Sequence, residues 1–259
     1  MLLVISPAKN LDYQTPLPTK KHSKAQFLDD ATMLMADLRQ LAPHELSKLM
    51  GISDKLSTLN YDRNQDWKPP FTAKNARQAV MAFKGDVYIG LDAYSMNDEE
   101  LGFAQEHLRI LSGLYGLLRP LDLIQPYRLE MGSRFANPRG KDLYSFWGDK
   151  ITDSLNKQLK KLKSPVLINL ASNEYFKSVN PKALKAEIIT PVFKDYKNGQ
   201  YKVISFFAKK ARGLMSAYII KNRLTEPAAI KGFDSAGYAY NKALSGTREW
   251  VFTRRESER

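Results

Sequence analysis

The sequence predicts a mixed α/β fold, a mixed β-sheet wrapped by helices, on three observations. Two apolar runs read as buried strands: Met1 to Ser6, ended by Pro7, and Pro165 to Ala171 (Pro-Val-Leu-Ile-Asn-Leu-Ala). Segments of helical periodicity are interleaved with them along the chain. Lys197-Asn198-Gly199-Gln200 separates two further strand-like segments, and Asn-Gly is the strongest short hairpin signal because both residues accept positive φ.

Taken in order, the strand at Met1 to Ser6 is followed by helical patterns over roughly 24–40, 43–50, 54–62 and 72–82. Asp86 to Leu91 reads as a short strand. Asn97 caps a helix over roughly 98–113, where Asp98, Glu99 and Glu100 suit the positive end of the helix dipole. A helix over roughly 142–162 closes with Lys157, Lys160, Lys161 and Lys163, cations that offset its negative end. Glu187 to Phe193 and Tyr201 to Ala208 form the antiparallel pair around the Asn-Gly turn, and a last helix covers roughly 209–224. No repeat, low-complexity tract or Pro/Ser/Gly-rich linker divides the chain, so residues 1–259 read as a single domain.

Composition excludes several classes. No apolar run approaches the roughly 18 residues of a membrane span. The opening Met-Leu-Leu-Val-Ile-Ser-Pro has no charged leader and is too short for a secretory signal, so a cytoplasmic protein without a membrane partner is expected. Cysteine is absent, which removes disulfides, thiolate catalysis and sulfur-ligated zinc. His22, His44 and His107 are too widely spaced to build a metal site, and none is expected. G-x-G-x-x-G, G-x-x-x-x-G-K-[ST] and G-x-S-x-G are all missing, so no cofactor is expected and no catalytic motif is established.

The formal net charge is +13, and it is regional. Residues 177–223 hold eleven Lys/Arg against only Glu187 and Asp195. Clustered cations are the electrostatic footprint of a nucleic-acid binder, because each neutralised phosphate releases condensed counterions.

Residues 46–57 add a geometric signal. Leu46, Leu49, Gly51 and Ile52 match the pattern Leu-x-x-Leu-Pro-Gly-Ile-Gly of a helix-hairpin-helix element, placed at about 43–62, with Ser57 the small residue where the helices approach. Met50 stands for the proline and Ser53 for the second glycine. Gly51 lets the turn press main-chain N–H groups against a phosphate while the next helix presents its positive end. Lys48, Gly51, Ile52, Ser53 and Lys55 are the candidate contacts.

Further polar groups fall at strand ends, where α/β folds bind ligands. Lys9 follows the first strand, and Asn169, Ser172 and Glu174 close the second central one. Arg119, with Asp122, ends a Gly-punctuated apolar run that leads to Arg128 and Glu130, and Lys209, Lys210 and Arg212 enter the last helix. Together they suggest one cationic, anion-seeking pocket, which a small molecule could occupy.

Ser6-Pro-Ala-Lys9, Phe83-Lys-Gly-Asp-Val-Tyr88, Leu111-Ser-Gly-Leu-Tyr-Gly-Leu-Leu-Arg-Pro-Leu-Asp122, Tyr127-Arg-Leu-Glu-Met-Gly132, Asn169-Leu-Ala-Ser172, Glu174-Tyr-Phe-Lys-Ser178 and Ala208-Lys-Lys-Ala-Arg-Gly-Leu-Met215 resemble the YaaA family of bacterial peroxide stress response proteins. The resemblance runs from residue 1 to about 252. It implies an unusual family-specific α/β architecture and a cytosolic protein of the hydrogen peroxide response. It further implies binding of double-stranded or structured DNA, largely without sequence specificity, through a helix-hairpin-helix and a basic cleft, so that DNA is protected. Carried onto this chain, the cleft falls on Lys9, Arg128, Lys209, Lys210 and Arg212. Absent cysteine and scarce histidine argue against direct peroxide scavenging by thiolate or haem. The alternative class is an enzyme acting on an anionic nucleotide, nucleobase or nucleic-acid substrate, with Arg119, Glu130, Asn169, Ser172 and Glu174 as pocket residues.

Overall fold

The two apolar runs lie side by side at the centre of the sheet. In the computed structural model, which describes residues 1–258, β1 (Leu2–Ile5) is buried throughout, and it pairs in parallel with Val166–Leu170, from Leu2 against Leu167 to Ile5 against Leu170. Neither run alternates apolar with polar residues, as expected of parallel strands covered on both faces.

Around them the chain adds β2 (Leu108–Ser112), β3 (Gly116–Leu118), β4 (Val166–Leu170), β5 (Glu187–Lys197), β6 (Gln200–Lys202), β7 (Ala239–Tyr240) and β8 (Glu249–Arg254). The spatial order is β7-β8-β5-β4-β1-β2-β3, with β6 paired to β5. The five central strands, β8, β5, β4, β1 and β2, are parallel, and β7, β3 and β6 are antiparallel additions. The mixed α/β class is therefore correct, with a mostly parallel sheet.

Besides the single turn Ala79–Ala82, the α-helices among the described residues are α1 (Leu28–Leu38), α2 (Pro43–Met50), α3 (Asp54–Asp66), α4 (Asp86–Leu91), α5 (Asp98–His107), α6 (Leu143–Trp147), α7 (Lys150–Lys161), α8 (Asn173–Phe176) and α9 (Ser205–Lys221). Their buried apolar residues join those of the sheet in one contiguous core. At the start of α5, Asn97 Oδ1 accepts the N–H groups of Glu99 and Glu100 at 3.0 and 2.9 Å, completing a capping box.

Several boundaries differ from the sequence expectation. Asp86–Leu91 is helical rather than a strand, with Val87, Tyr88 and Leu91 on its buried side. The expected helix over 98–113 stops at His107 and continues directly as β2. The 142–162 helix is broken at Gly148, whose φ of 48° no helix accommodates. Of 72–82 only Ala79–Ala82 is helical, after the short strand Arg77–Gln78. The strand expected to reach Ala208 ends at Lys202, and α9 has begun by Ser205.

Candidate functional site

The parallel strands bring their carboxyl ends to one edge of the sheet, and several of the expected residues meet there. Ser6, after β1, and Ser172, after β4, lock the two loops together. Ser6 Oγ accepts the Ser172 N–H at 2.9 Å and lies 3.3 Å from Ser172 Oγ. Tyr88 OH, on α4, donates to the Ser6 carbonyl at 3.1 Å.

Beside this joint, Lys9 Nζ and Arg128 Nε each approach Glu130 Oε1 at 3.2 Å. Glu130 Oε2 is buried and has no hydrogen-bond partner among the described residues. Tyr127 and Tyr175 wall the same small pocket. Burial pushes both phenols upward, so they stay protonated and serve as neutral donors. The gap is about 10 Å³, room for no more than about one water while Lys9 lies across it.

Glu174 and Asn169 take supporting positions. Glu174 Oε1 accepts the Gly132 N–H at 2.9 Å, and Tyr144 OH donates to the Glu174 carbonyl at 2.8 Å. Asn169 is buried in β4, where its Oδ1 accepts the Ala171 N–H at 3.0 Å.

The pocket adjoins a wider groove of about 410 Å³ lined by Asp12, Tyr13, Arg63 and Lys84. The N–H groups of Thr15 and Gln14 and the Thr15 hydroxyl donate to Asp12 and hold its carboxyl well below the usual range. Burial lowers Arg63, and the neighbouring charge of Arg128 lowers it further. Arg63 and Lys84 were not expected from sequence. Arg63 reads as a C-terminal helix cation, and only its place near Arg128 marks it.

Arg63 lies in the last turn of α3, and the turn at the other end of that helix is exposed. Gly51 adopts the left-handed conformation at φ 60° and ψ 48°. Ile52 N–H donates to the Ser47 carbonyl at 3.2 Å, and Ser47 Oγ donates to the Ile52 carbonyl at 2.6 Å. Ser53 precedes α3 without a side-chain cap, which leaves its first-turn amides to solvent or a ligand. Lys48 is exposed on α2, Lys55 is exposed on α3, and Ser57 is buried. Residues 43–66 carry Lys48, Lys55 and Arg63 against Glu45, Asp54, Asp62 and Asp66, so the turn offers amides rather than net positive charge.

Other expected members lie elsewhere. Arg119 is not in the Glu130 pocket. The chain reverses between β2 and β3, which carries Arg119 to the amino edge of the sheet, where it pairs with Asp122 at 2.9 Å. The basic segment 177–223 is likewise divided. Lys182 and Lys185 precede β5, Lys197 and Lys202 flank its far end, and Lys177 lies 5.0 Å from the Tyr144 ring centroid. Lys209 and Lys210 are exposed on α9, while burial lowers Arg212. Among the described residues no group of three or more His, Cys, Asp or Glu could hold a metal ion, and no helix is long and apolar enough to cross a membrane.

The structure thus defines a mixed α/β protein whose central strand ends carry a pocket lined by Lys9, Arg128 and Glu130, with a groove beside it that reaches the last turn of α3. Residues 1–244 match the model of the family described as Peroxide stress protein YaaA, and the chain belongs to that family. Over 256 residues it is 70% identical to a UPF0246 protein of Teredinibacter turnerae, covering 99% of this chain and 100% of that protein. A UPF0246 protein of Saccharophagus degradans is 69% identical over 256 residues, with 99% and 100% covered, and one of Colwellia psychrerythraea is 61% identical over 257 residues, with the same coverage. Membership in a family named for peroxide stress supports a role in that response.

Proposed function

We propose that the protein acts in peroxide stress by binding double-stranded or structured DNA through its phosphates, with little base readout. The observation that carries this reading is the exposed Gly51 turn at the start of α3, whose last turn delivers Arg63 to the groove beside Arg128. Amides at the turn can hold one phosphate, and Lys9, Lys84, Arg63 and Arg128 supply the positive field that the turn itself lacks. Lys209 and Lys210 belong to the same proposed surface as exposed cations of α9.

A salt titration of duplex, single-stranded and branched DNA tests it. Duplex affinity is expected to fall on the order of a hundredfold or more between about 50 and 200 mM salt, with weak sequence preference. Lys9→Ala and Lys84→Ala each weaken binding to all sequences alike. Binding that ignores salt and these variants would overturn the reading.

The buried, unpartnered Glu130 Oε2 favours a second reading, an enzyme that takes a nucleotide or nucleobase donor group onto that oxygen once Lys9 swings aside. A thermal-shift screen of nucleosides and nucleotides separates the two. The second reading expects a stabilising ligand whose effect disappears in Glu130→Gln while duplex affinity is kept. No such ligand would reject it.

A further inference from the structure

A second cationic cleft opens at the amino edge of the sheet, remote from the strand ends that carry Lys9 and Glu130. It measures about 440 Å³, within the size range of small-molecule sites, and lies between the start of β2 and one side of α7. Arg109, Arg119, Lys157 and Lys161 line it, with Glu106 as the carboxylate among its walls.

The cations are unevenly satisfied. Lys161 Nζ pairs with Glu106 Oε2 at 2.6 Å, and Arg119 Nη2 with Asp122 Oδ1 at 2.9 Å. Lys157 and Arg109 have no carboxylate within ion-pair distance among the described residues. Arg109 is the informative one. It is only 6% exposed, and its Nη1 alone is used, donating to the Gln105 and Leu108 carbonyls at 2.9 and 2.7 Å. The carbonyl end of α5 offsets part of its charge, but Nε and Nη2 keep no protein acceptor among the described residues. Burial pushes the guanidinium down to about 10, still fully protonated at neutral pH.

We propose that this cleft binds the phosphate group of a small phosphorylated ligand, received by the free Arg109 donors and by Lys157. A guanidinium presents two donors in the plane of a phosphate's oxygens, and a lysine at the rim adds a point charge. Ser154 Oγ donates to Gln26 Oε1 at 2.8 Å across the same cleft, so the Gln26 amide hydrogens are available to the rest of the ligand. The site is independent of the proposed DNA surface, because its cations lie at the opposite edge of the sheet.

Calorimetric titration of the whole protein at low ionic strength, with inorganic phosphate and with a nucleoside 5′-monophosphate, tests the assignment. Saturable binding is expected below about 10 mM, weakened about tenfold by Lys157→Ala, abolished by Lys157→Glu and unchanged by Lys197→Ala on the distant hairpin. Arg109→Gln, if it folds by circular dichroism, is also expected to abolish binding. Lys157→Glu alters an exposed side chain at the rim of the cleft and so keeps the test decisive if the Arg109 variant does not fold. A short duplex is titrated alongside. No phosphate binding, binding indifferent to Lys157→Glu, or loss of binding in that variant for duplex alone would overturn the proposal.

Discussion

Gly213 of α9 lies so close to Val87 of α4 that a Cβ on the glycine would stand 1.8 Å from the Val87 carbonyl oxygen. The contact is reciprocal, since a Cβ on Gly90 would stand 2.2 Å from the Lys210 carbonyl oxygen. Both obstacles are main chain, so no side chain can rotate away. Gly213→Ala is expected to cost about 3 kcal/mol in chemical denaturation, by forcing the helices apart. Gly102→Ala, in α5 with nothing within 4 Å of the new methyl, is expected to gain about 0.5–1 kcal/mol. Equal effects at the two positions would refute the close-packing account.

Arg254 closes the carboxyl end of β8 over a buried carboxylate. Its Nε donates to Asp195 Oδ1 at 2.8 Å, Tyr238 OH donates to Oδ2 at 2.7 Å, and the guanidinium carbon lies 4.6 and 4.5 Å from the ring centroids of Phe207 and Tyr238. Removing the cation leaves Asp195 buried with less compensation. Arg254→Met is therefore expected to lose about 3–5 kcal/mol, while Asp195→Asn/Arg254→Met together lose less than the sum of the single changes. A double-mutant cycle read by urea denaturation measures this coupling, and strict additivity would remove the pair from the account.

The central strands were legible because β1 and β4 are short, unbroken apolar runs, and α2 was legible because Pro43 opens it and Gly51 closes it. β2 was not. Leu108, Ile110 and Leu111 continue the helical spacing of α5, and a strand buried on both faces has no alternation to contradict that reading. Asp86–Leu91 failed for the related reason that six residues cannot distinguish a short helix from a strand. At the site, strand-end polarity identified Lys9, Ser172 and Glu174, but the Lys9–Glu130 pair joins segments far apart in sequence and has no local signal. The same logic misplaced Arg119, since nothing in the residues alone tells which way the chain leaves the turn after β2.

His107 gives stability a definite acid slope. Its Nδ1 donates to the Met1 carbonyl at 2.8 Å, and its ring stacks on Phe103 with centroids 4.0 Å apart. Burial disfavours the imidazolium and lowers His107 below its usual 6.5, outweighing the opposing effect of that hydrogen bond. The unfolded chain thus takes up a proton more readily than the folded one. This contribution is complete above about pH 6.5 and is lost as pH falls from there through the folded value. Replacing the ring in His107→Gln is expected to flatten the fall in unfolding free energy between about pH 6.5 and 5, measured by urea titrations at each pH. An unchanged slope would assign it to other groups.

Asp54 and Lys55 divide the first turn of α3 between opposite charges, and this makes the proposed phosphate contact separable from overall basicity. The carboxylate competes with an incoming phosphate for the helix end and repels it. Asp54→Asn is therefore expected to tighten duplex binding about threefold while weakening the helix by about 0.3–1 kcal/mol, because a favourable charge is lost from its positive end. Lys55→Ala is expected to weaken binding and reduce the log–log salt slope by about 1, as one phosphate contact disappears. Opposite signs for stability and affinity in Asp54→Asn cannot come from a general loss of structure. If both variants leave duplex affinity and its salt slope untouched, phosphate is not held at this turn, and any nucleic-acid contact belongs to the groove that holds Arg63 and Lys84.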